Sequence, residues 1–376
     1  MAAPVKKVLI IGGGFSGMAA AIELRKRDIE VELVEIDLGW RSYGAGISLG
    51  GATMRALVQL GVIDDFMAEG AASDGVELFI PTGQKIAELP TPRLAGPAVP
   101  GNGAVMRPVL ARILADATRR AGAQVHLGCT FTSFEQDSGG VNVSFSDGRD
   151  GRYDLVIGAD GLYSKVRPAL FADAPEPRYS GQGVWRAVLP RAVDVNGTMM
   201  WMGTKVKPGL NPVSREEMYL FVTEDRATNE FIDPAEFLPR LKALLAPFPA
   251  PLLQRVREQL SEQSQIIYRP LETIFLPSPW YRGRVVLIGD TVHATTPHMA
   301  SGACIGIEDA LVLADELGKA GSIDQALDRY LARRWERCRM VVQNSGRLGE
   351  IEIAGGDKEE HARIMRATLA ALAAPI

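Results

Sequence analysis

The chain predicts an α/β fold in which a mostly parallel sheet is assembled from separated stretches and a second, mixed β-sheet is inserted between them. Three short apolar strands predict it, each reaching glycine where the chain leaves the sheet. Val8-Leu9-Ile10-Ile11 runs into Gly12-Gly13-Gly14-Phe15-Ser16-Gly17. Leu155-Val156-Ile157-Gly158 runs into Ala159-Asp160-Gly161, and Val285-Val286-Leu287-Ile288 into Gly289-Asp290-Thr291-Val292-His293. Continuous apolar runs mark parallel strands covered on both faces. A length of 376 residues exceeds one small core and suits two domains.

In chain order, residues 5–11 read as a buried strand, Met18 to Arg27 as a helix whose Ala19, Ala20 and Ala21 permit close approach to the sheet, and Ile29 to Glu35 as a second strand. This is a βαβ unit, expected to cross over right-handed. Thr53 to Gly61 reads as a short helix. Residues 76–89 alternate as a hairpin about Pro81-Thr82-Gly83, and Pro90 to Gly103 as a Pro- and Gly-rich loop. Pro108 to Ala121 carries Leu110, Ile113, Leu114 and Ala117 on one helical stripe. Strands follow at 124–128, 130–136, 141–146 and 153–157, then at 183–190, 197–203 and 217–224. Helices are expected at 235–245 and 250–260, from Ile305 to Ala320, from Asp324 to about Arg347, and in the Ala-rich tail from Lys358 to Leu372.

The predicted division is a discontinuous cofactor domain (1–75, 101–177 and 276–320), a substrate sheet (76–100 and 178–275) and a C-terminal helical segment (321–376). Ligands of such folds sit at the carboxyl ends of the strands and between domains. A net charge of −4 with no basic run gives no indication of a nucleic-acid partner. No stretch approaches the length of a membrane span. Lys6-Lys7 before only four apolar residues reads as a first strand rather than a leader. Cys129, Cys304 and Cys338 are odd in number and widely spaced, which argues against a disulfide framework or a zinc site and fits a reducing cytoplasm.

Gly12-x-Gly14-x-x-Gly17 lies between a strand and a helix, the context of a Rossmann-like dinucleotide fingerprint. Gly12 permits the tight turn, Gly14 lets a pyrophosphate approach the backbone, and Gly17 allows close helix–sheet packing. Free N–H groups at the helix start then meet the phosphates. Glu35, ending the second strand, suits ribose hydroxyls. One such turn indicates any dinucleotide; three strand ends in this order indicate a flavin held along its length.

With those motifs the chain resembles the single-component FAD-dependent aromatic hydroxylases, the para-hydroxybenzoate hydroxylase-like (group A) flavoprotein monooxygenases. The resemblance rests on Gly12–Gly17, on Asp160-Gly161 with Ser164 and Arg167, on Gly289-Asp290 through Pro297, on Arg41-Ser42-Tyr43-Gly44-Ala45-Gly46-Ile47 and on Arg107. It implies FAD as cofactor, NADH or NADPH and O2 as co-substrates, and a C4a-hydroperoxyflavin that hydroxylates a phenol or hydroxylated N-heterocycle, possibly carboxylated. By the same resemblance Glu35 binds the adenosine ribose, and Gly12, Gly14, Phe15, Ser16 and Gly17 are cofactor-binding residues. Arg41 and Arg107 contact the phosphate and sugar portion, and Asp160 lies near the pyrophosphate. Asp290 holds the ribityl chain, Pro297 lies beside the flavin ring, and Gly302 and Ala303 pass close to it. Two departures fall nearest the ring: Gly50-Gly51 where Pro-Asn is common, and Ala300-Ser301 where Gly-Gln is common.

Several alternatives stay open on the sequence. Asp160 and Asp290 serve the cofactor or act as turn-forming caps. His293 reads as structural; Pro297 and His298 are the candidate catalytic positions, His298 as a substrate contact or else a solvated loop residue. His126 and His361 read as structural and surface residues. Trp185 and Arg186 alternate on a strand and so point to opposite faces. Arg186 either fixes a substrate carboxylate or phenolate or makes a surface ion pair. Trp201, Tyr219 and Phe221 are candidate pocket walls or core. A flavin-dependent reductase or a non-catalytic flavin binder shares the same cofactor pattern. A halogenase does too, but the Trp-x-Trp-x-Ile-Pro segment of halogenases is lacking. Monomer and homodimer are both compatible with the chain.

Overall fold

The computed structural model describes residues 5–42 and 44–376; within the predicted cofactor-contacting stretch 41–47, Tyr43 lies outside the described residues. The three apolar strands with glycine ends are neighbours in one six-stranded sheet. Its order is Tyr281–Arg282, Val285–Leu287, Leu155–Gly158, Lys7–Ile11, Glu30–Glu35, Gln124–Leu127, all parallel except the edge Tyr281–Arg282. Val8, Leu9, Ile10 and Ile11 are completely buried. Each such side chain stabilises the core by about 1.5–3 kcal/mol relative to exposure. The helices Phe15–Arg25 and Gly302–Lys319 pack against each other on this sheet.

A seven-stranded mixed sheet carries the inserted region, in the order Ile266–Thr273, Arg178–Pro190, Glu217–Asp225, Val206–Pro212, Thr198–Trp201, Gly75–Phe79, Lys85–Pro90. Its back face carries Trp185, Leu189, Trp201, Leu210, Leu220 and Val222. They form a second core under the helices Phe237–Leu245 and Pro251–Gln259. A small sheet of Gly46–Gly50, Asn102–Met106 and Ala71–Ser73 sits between the two large ones. No helix among the described residues is long and apolar enough to cross a membrane.

The α/β class with C-terminal helices is as expected. Two elements of the mixed sheet differ from the expectation. Val206–Pro212 is a strand although its Pro208, Gly209 and Pro212 read as turn, and Ile266–Thr273 contains Pro270. The helix predicted to end near Arg347 runs over Ile323–Ala354, 32 residues, to a left-handed Gly355 cap. The final helix Lys358–Ala373 folds back along it. Its last carbonyls accept from Arg337 (to Ala371 and Leu372, both 2.9 Å) and Arg55 (to Ala373, 2.9 Å), cations at the end where the helix dipole favours them.

Candidate active site

The glycine-rich turn is shaped by its neighbours. Gly12 has φ +107°, and a Cβ there would meet the Ala159 carbonyl oxygen at 2.4 Å, so the first motif lies directly on the second. A Cβ on Gly14 would meet nothing within 4 Å, so backbone there is open to a ligand. Glu35 receives the Gly13 N–H on Oε2 (2.7 Å) and the Asp37 N–H on Oε1 (2.8 Å), which fixes its carboxylate at the turn with acceptor capacity left over. Arg41, expected on the phosphate and sugar portion, pairs with Asp37 at the surface (3.0 Å).

Asp160 is committed to its own loop. Its carboxylate accepts from Ser164 Oγ (2.5 Å) and from the N–H groups of Lys165 (2.7 Å) and Val166 (3.1 Å). These bonds are those of the capping alternative, and they hold the turn that was expected to lie near the pyrophosphate. The turn is tied to the third motif through Thr291, whose Oγ1 accepts from Gly161 N–H (3.0 Å) and whose carbonyl accepts from Arg167 (3.0 Å).

Asp290 is the contrasting case. It is exposed, and among the described residues its carboxylate has no hydrogen-bond partner in the protein. Gly289 before it has φ +64°, and its N–H donates to Asp309 Oδ2 (2.9 Å). Behind this bond lies a buried ionic network that sequence reading missed. His293 Nε2 meets Asp309 Oδ2 (2.5 Å), and Arg334 donates to Asp309 (2.8 Å), to Glu308 (3.0 Å) and to the Ile305 carbonyl (3.0 Å). Arg337 adds two bonds to Glu308. Burial opposes a charge on His293, yet Cys338 and the Asp309 carboxylate beside it hold its pKa well above the usual histidine value. Burial likewise opposes ionisation of Asp309, but His293, Arg334 and the Gly289 N–H outweigh it and bring its pKa down to about 2. Cys338 completes a trio with His293 and Asp309, and Arg334 supplies the positive charge that a metal ion would bring. His293 is structural, as read. The adjacent acids Glu308 and Asp309 inside the apolar run Cys304–Ala314 were the signal available for the network.

Arg107 enters the cleft from the other side. Its guanidinium stands over the Phe15 ring (5.5 Å), and its buried Nε has no partner among the described residues. Burial lowers its pKa, and Asp290 and Tyr219 oppose that shift. Arg107 thus rests on Phe15 and stands within electrostatic reach of Asp290 and Tyr219.

The front face of the mixed sheet completes it. Tyr219 and Phe221 lie on this face, with Tyr219 Oη 2.6 Å from Ser48 Oγ on the small sheet; Asn211 donates to that same Ser48 oxygen (2.7 Å) and accepts from Thr198 (2.5 Å). Arg186 shares the face and, among the described residues, makes no hydrogen bond or ion pair. Burial lowers its pKa; Tyr219 opposes this, while Arg107 and Arg269 add to it. Trp185 and Trp201 are corrected as pocket walls. Both are 1 % exposed on the back face, Trp185 against Tyr268 and Phe237, and Trp201 stacked on Phe79. Alternation was legible in the sequence, but which face met the cofactor domain was not.

The chain from Thr295 to Ser301 forms the remaining wall. Pro297 opens a short 3₁₀ turn that ends at Ala300 in the left-handed region (φ +47°), a conformation that glycine adopts more readily than an L-residue. His298 is corrected as a catalytic residue. Its side chain is 3 % exposed, with Nδ1 on Thr296 Oγ1 (2.8 Å) and Nε2 on Glu352 (3.1 Å), so neither nitrogen is left for a substrate. Gly302 and Ala303, both half-buried, begin the 18-residue helix facing the cleft.

These residues fit an FAD. The helices beginning at Phe15 and Gly302 have no side-chain hydrogen bond at their N-caps and no acid in the first turn, so their N–H groups suit an anion or an electron-rich ring edge. Asp290 offers an unpartnered carboxylate and Arg107 an orphaned buried N–H.

Comparison with known proteins agrees with that fit. Residues 6–345 match the family model described as an FAD-binding domain. The chain is 32% identical over 354 residues to the aurachin C monooxygenase/isomerase of Stigmatella aurantiaca, covering 92% of this chain and 89% of that one. It is 30% identical over 353 residues to the FAD-dependent urate hydroxylase of Klebsiella oxytoca, covering 89% and 88%. The crystal structure of Klebsiella pneumoniae HpxO with FAD and uric acid superposes with a TM-score of 0.87 at 26% identity, covering 98% and 97%.

Proposed function

The chain belongs to the FAD-dependent monooxygenases built on this FAD-binding domain, and from that premise we propose that it hydroxylates a small anionic aromatic or N-heterocyclic ring using NAD(P)H and O2. FAD, when bound, supplies the chemistry that takes electrons from NAD(P)H and delivers one oxygen atom of O2 to the ring. The protein's residues do the rest. The Gly12–Gly17 turn and Glu35 receive the adenosine end, and Asp290 the ribityl hydroxyls. Arg107 lies between them, over Phe15. Closure by the front face of the mixed sheet keeps water from the reacting ring. The three buried, unpaired cysteines fit a reducing compartment such as the cytoplasm.

The observation that carries the substrate class is Arg186. Its guanidinium is unpaired among the described residues, on a partly buried face where the charges of Arg107 and Arg269 add to the burial that disfavours its own, so an anion is the partner it lacks. It recognises a carboxylate or the oxyanion of an acidic ring, and its planar fork suits two parallel bonds.

The test is ligand binding read from perturbation of the flavin absorbance. Arg186→Met is expected to weaken binding of hydroxylated aromatic acids and acidic N-heterocycles by roughly 10- to 100-fold, the equivalent of about 1.5–3 kcal/mol for a charged hydrogen bond, with the ligand-free spectrum unchanged. Equal affinities in the variant and the parent would move Arg186 out of the site and remove the anionic class.

A further inference from the structure

Four residues from four separate parts of the chain meet beside the cleft. Glu352 lies in the last turn of the 32-residue helix. Its Oε1 receives His361 Nε2 from the final helix (2.9 Å) and Lys207 Nζ from the strand Val206–Pro212, and its Oε2 receives His298 Nε2 (3.1 Å). The side chains of Lys207 and Glu352 are each only 13 % exposed. Burial acts to raise the Glu352 pKa, and the bonds from both histidines together with the Lys207 charge outweigh it, so the carboxylate stays ionised. An ionised carboxylate only accepts, which makes Nε2 of both histidines donors. In neutral His298, Nδ1 then accepts from Thr296, and the ring is held at both ends.

The long helix is what brings this acid here. At 1.5 Å per residue it spans roughly 48 Å, enough to run from the first core to the edge of the mixed sheet. Near its end it passes between that sheet and the 295–301 loop at Gly349, where a Cβ would stand 3.1 Å from both Gln182 Oε1 and His298 Cε1. One turn of packing continues the contact: Met299 is buried with Leu348, Ile351 and Ile364.

We propose that Glu352 is a positioning residue for the substrate side of the cleft, clamping the Pro297–Ala300 wall through His298 and the front face of the mixed sheet through Lys207. The C-terminal helical hairpin is then a working wall of the site. This rests on the reading of the cleft given above. The wall needs such a clamp, because Ala300 is held in a left-handed conformation that costs an L-residue about 1 kcal/mol or more unless its surroundings impose it.

The test uses the FAD-loaded full chain and two variants, Glu352→Gln and Gly349→Ala, the latter chosen to press on His298 without changing charge. Peptide-level hydrogen exchange is the first readout. Amides of 296–301 are expected to exchange roughly tenfold faster in Glu352→Gln and in Gly349→Ala, with those of 8–17 unchanged. Affinity for FAD is expected to stay within about twofold, and affinity for an aromatic acid to fall by roughly tenfold or more, a split that loss of general stability does not produce. Unchanged exchange at 296–301 in both variants overturns the proposal. So does uniform acceleration along the whole chain with a lowered melting temperature, which would make Glu352 merely structural. If the parent protein binds no aromatic acid, the substrate reading fails by itself, and the exchange data still decide what Glu352 holds.

Discussion

Asp290→Ala is expected to lose FAD on dilution, with its dissociation constant raised by roughly 10- to 100-fold. The carboxylate projects from the end of the strand Val285–Leu287 on a left-handed Gly289, with no protein partner among the described residues. A charged acceptor bonded to ribityl hydroxyls is worth about 1.5–3 kcal/mol, and alanine supplies no substitute acceptor. The variant also removes the acid that opposes the effect of burial on Arg107. Titration of the apoprotein with FAD, followed by quenching of flavin fluorescence, measures the effect. Full FAD occupancy at dilute concentration would show that Asp290 is only a turn residue.

Arg334→Met has the largest expected effect on stability. Arg334 is fully buried and joins Asp309, Glu308 and the Ile305 carbonyl. Removing one partner of a buried ionic network leaves uncompensated charge, at a cost of about 3–5 kcal/mol. His293 and Arg337 still contact the two acids, so the chain is expected to fold but to unfold at lower denaturant. The pH dependence carries the sign. Asp309 has its folded pKa lowered from 3.8 to about 2, so its contribution is fully present above 3.8 and is lost as pH falls through about 2. Without Arg334 that carboxyl is held down less strongly, so the acid-dependent loss below pH 3.8 becomes smaller and ends at a higher pH. Denaturation across an acid series measures both effects. A loss below about 1 kcal/mol would place the network in the class of surface pairs. Because Asp309 also accepts the Gly289 N–H, weaker FAD binding is expected to accompany the loss.

What the sequence made legible was local. The three strand ends with their glycines are short-range patterns, and they marked the six-stranded sheet, its crevice and Asp290. What stayed hidden depends on tertiary partners. Asp160 and Asp290 look alike in sequence, and only Ser164, Lys165 and Val166 folding back on Asp160 separate a cap from a free acceptor. His298 lies at the right place in the chain for a catalytic group, yet an acid 54 residues later claims its ring. Trp185 and Arg186 divide between two faces by strand alternation, but burial under the helices Phe237–Leu245 and Pro251–Gln259, which decides the faces, is set by topology. The strand Val206–Pro212, which carries Lys207 and Asn211, was masked by its prolines and glycine.

The most direct test of the central claim is NADH and NADPH oxidation by the FAD-loaded protein, with and without a panel of hydroxylated aromatic acids, acidic N-heterocycles and their uncharged analogues. The account predicts a slow basal rate, stimulation by anionic members of the panel, and one hydroxylated product per NAD(P)H consumed. Flavin bands with no stimulation by any ring, or stimulation by the uncharged analogues alone, would contradict it.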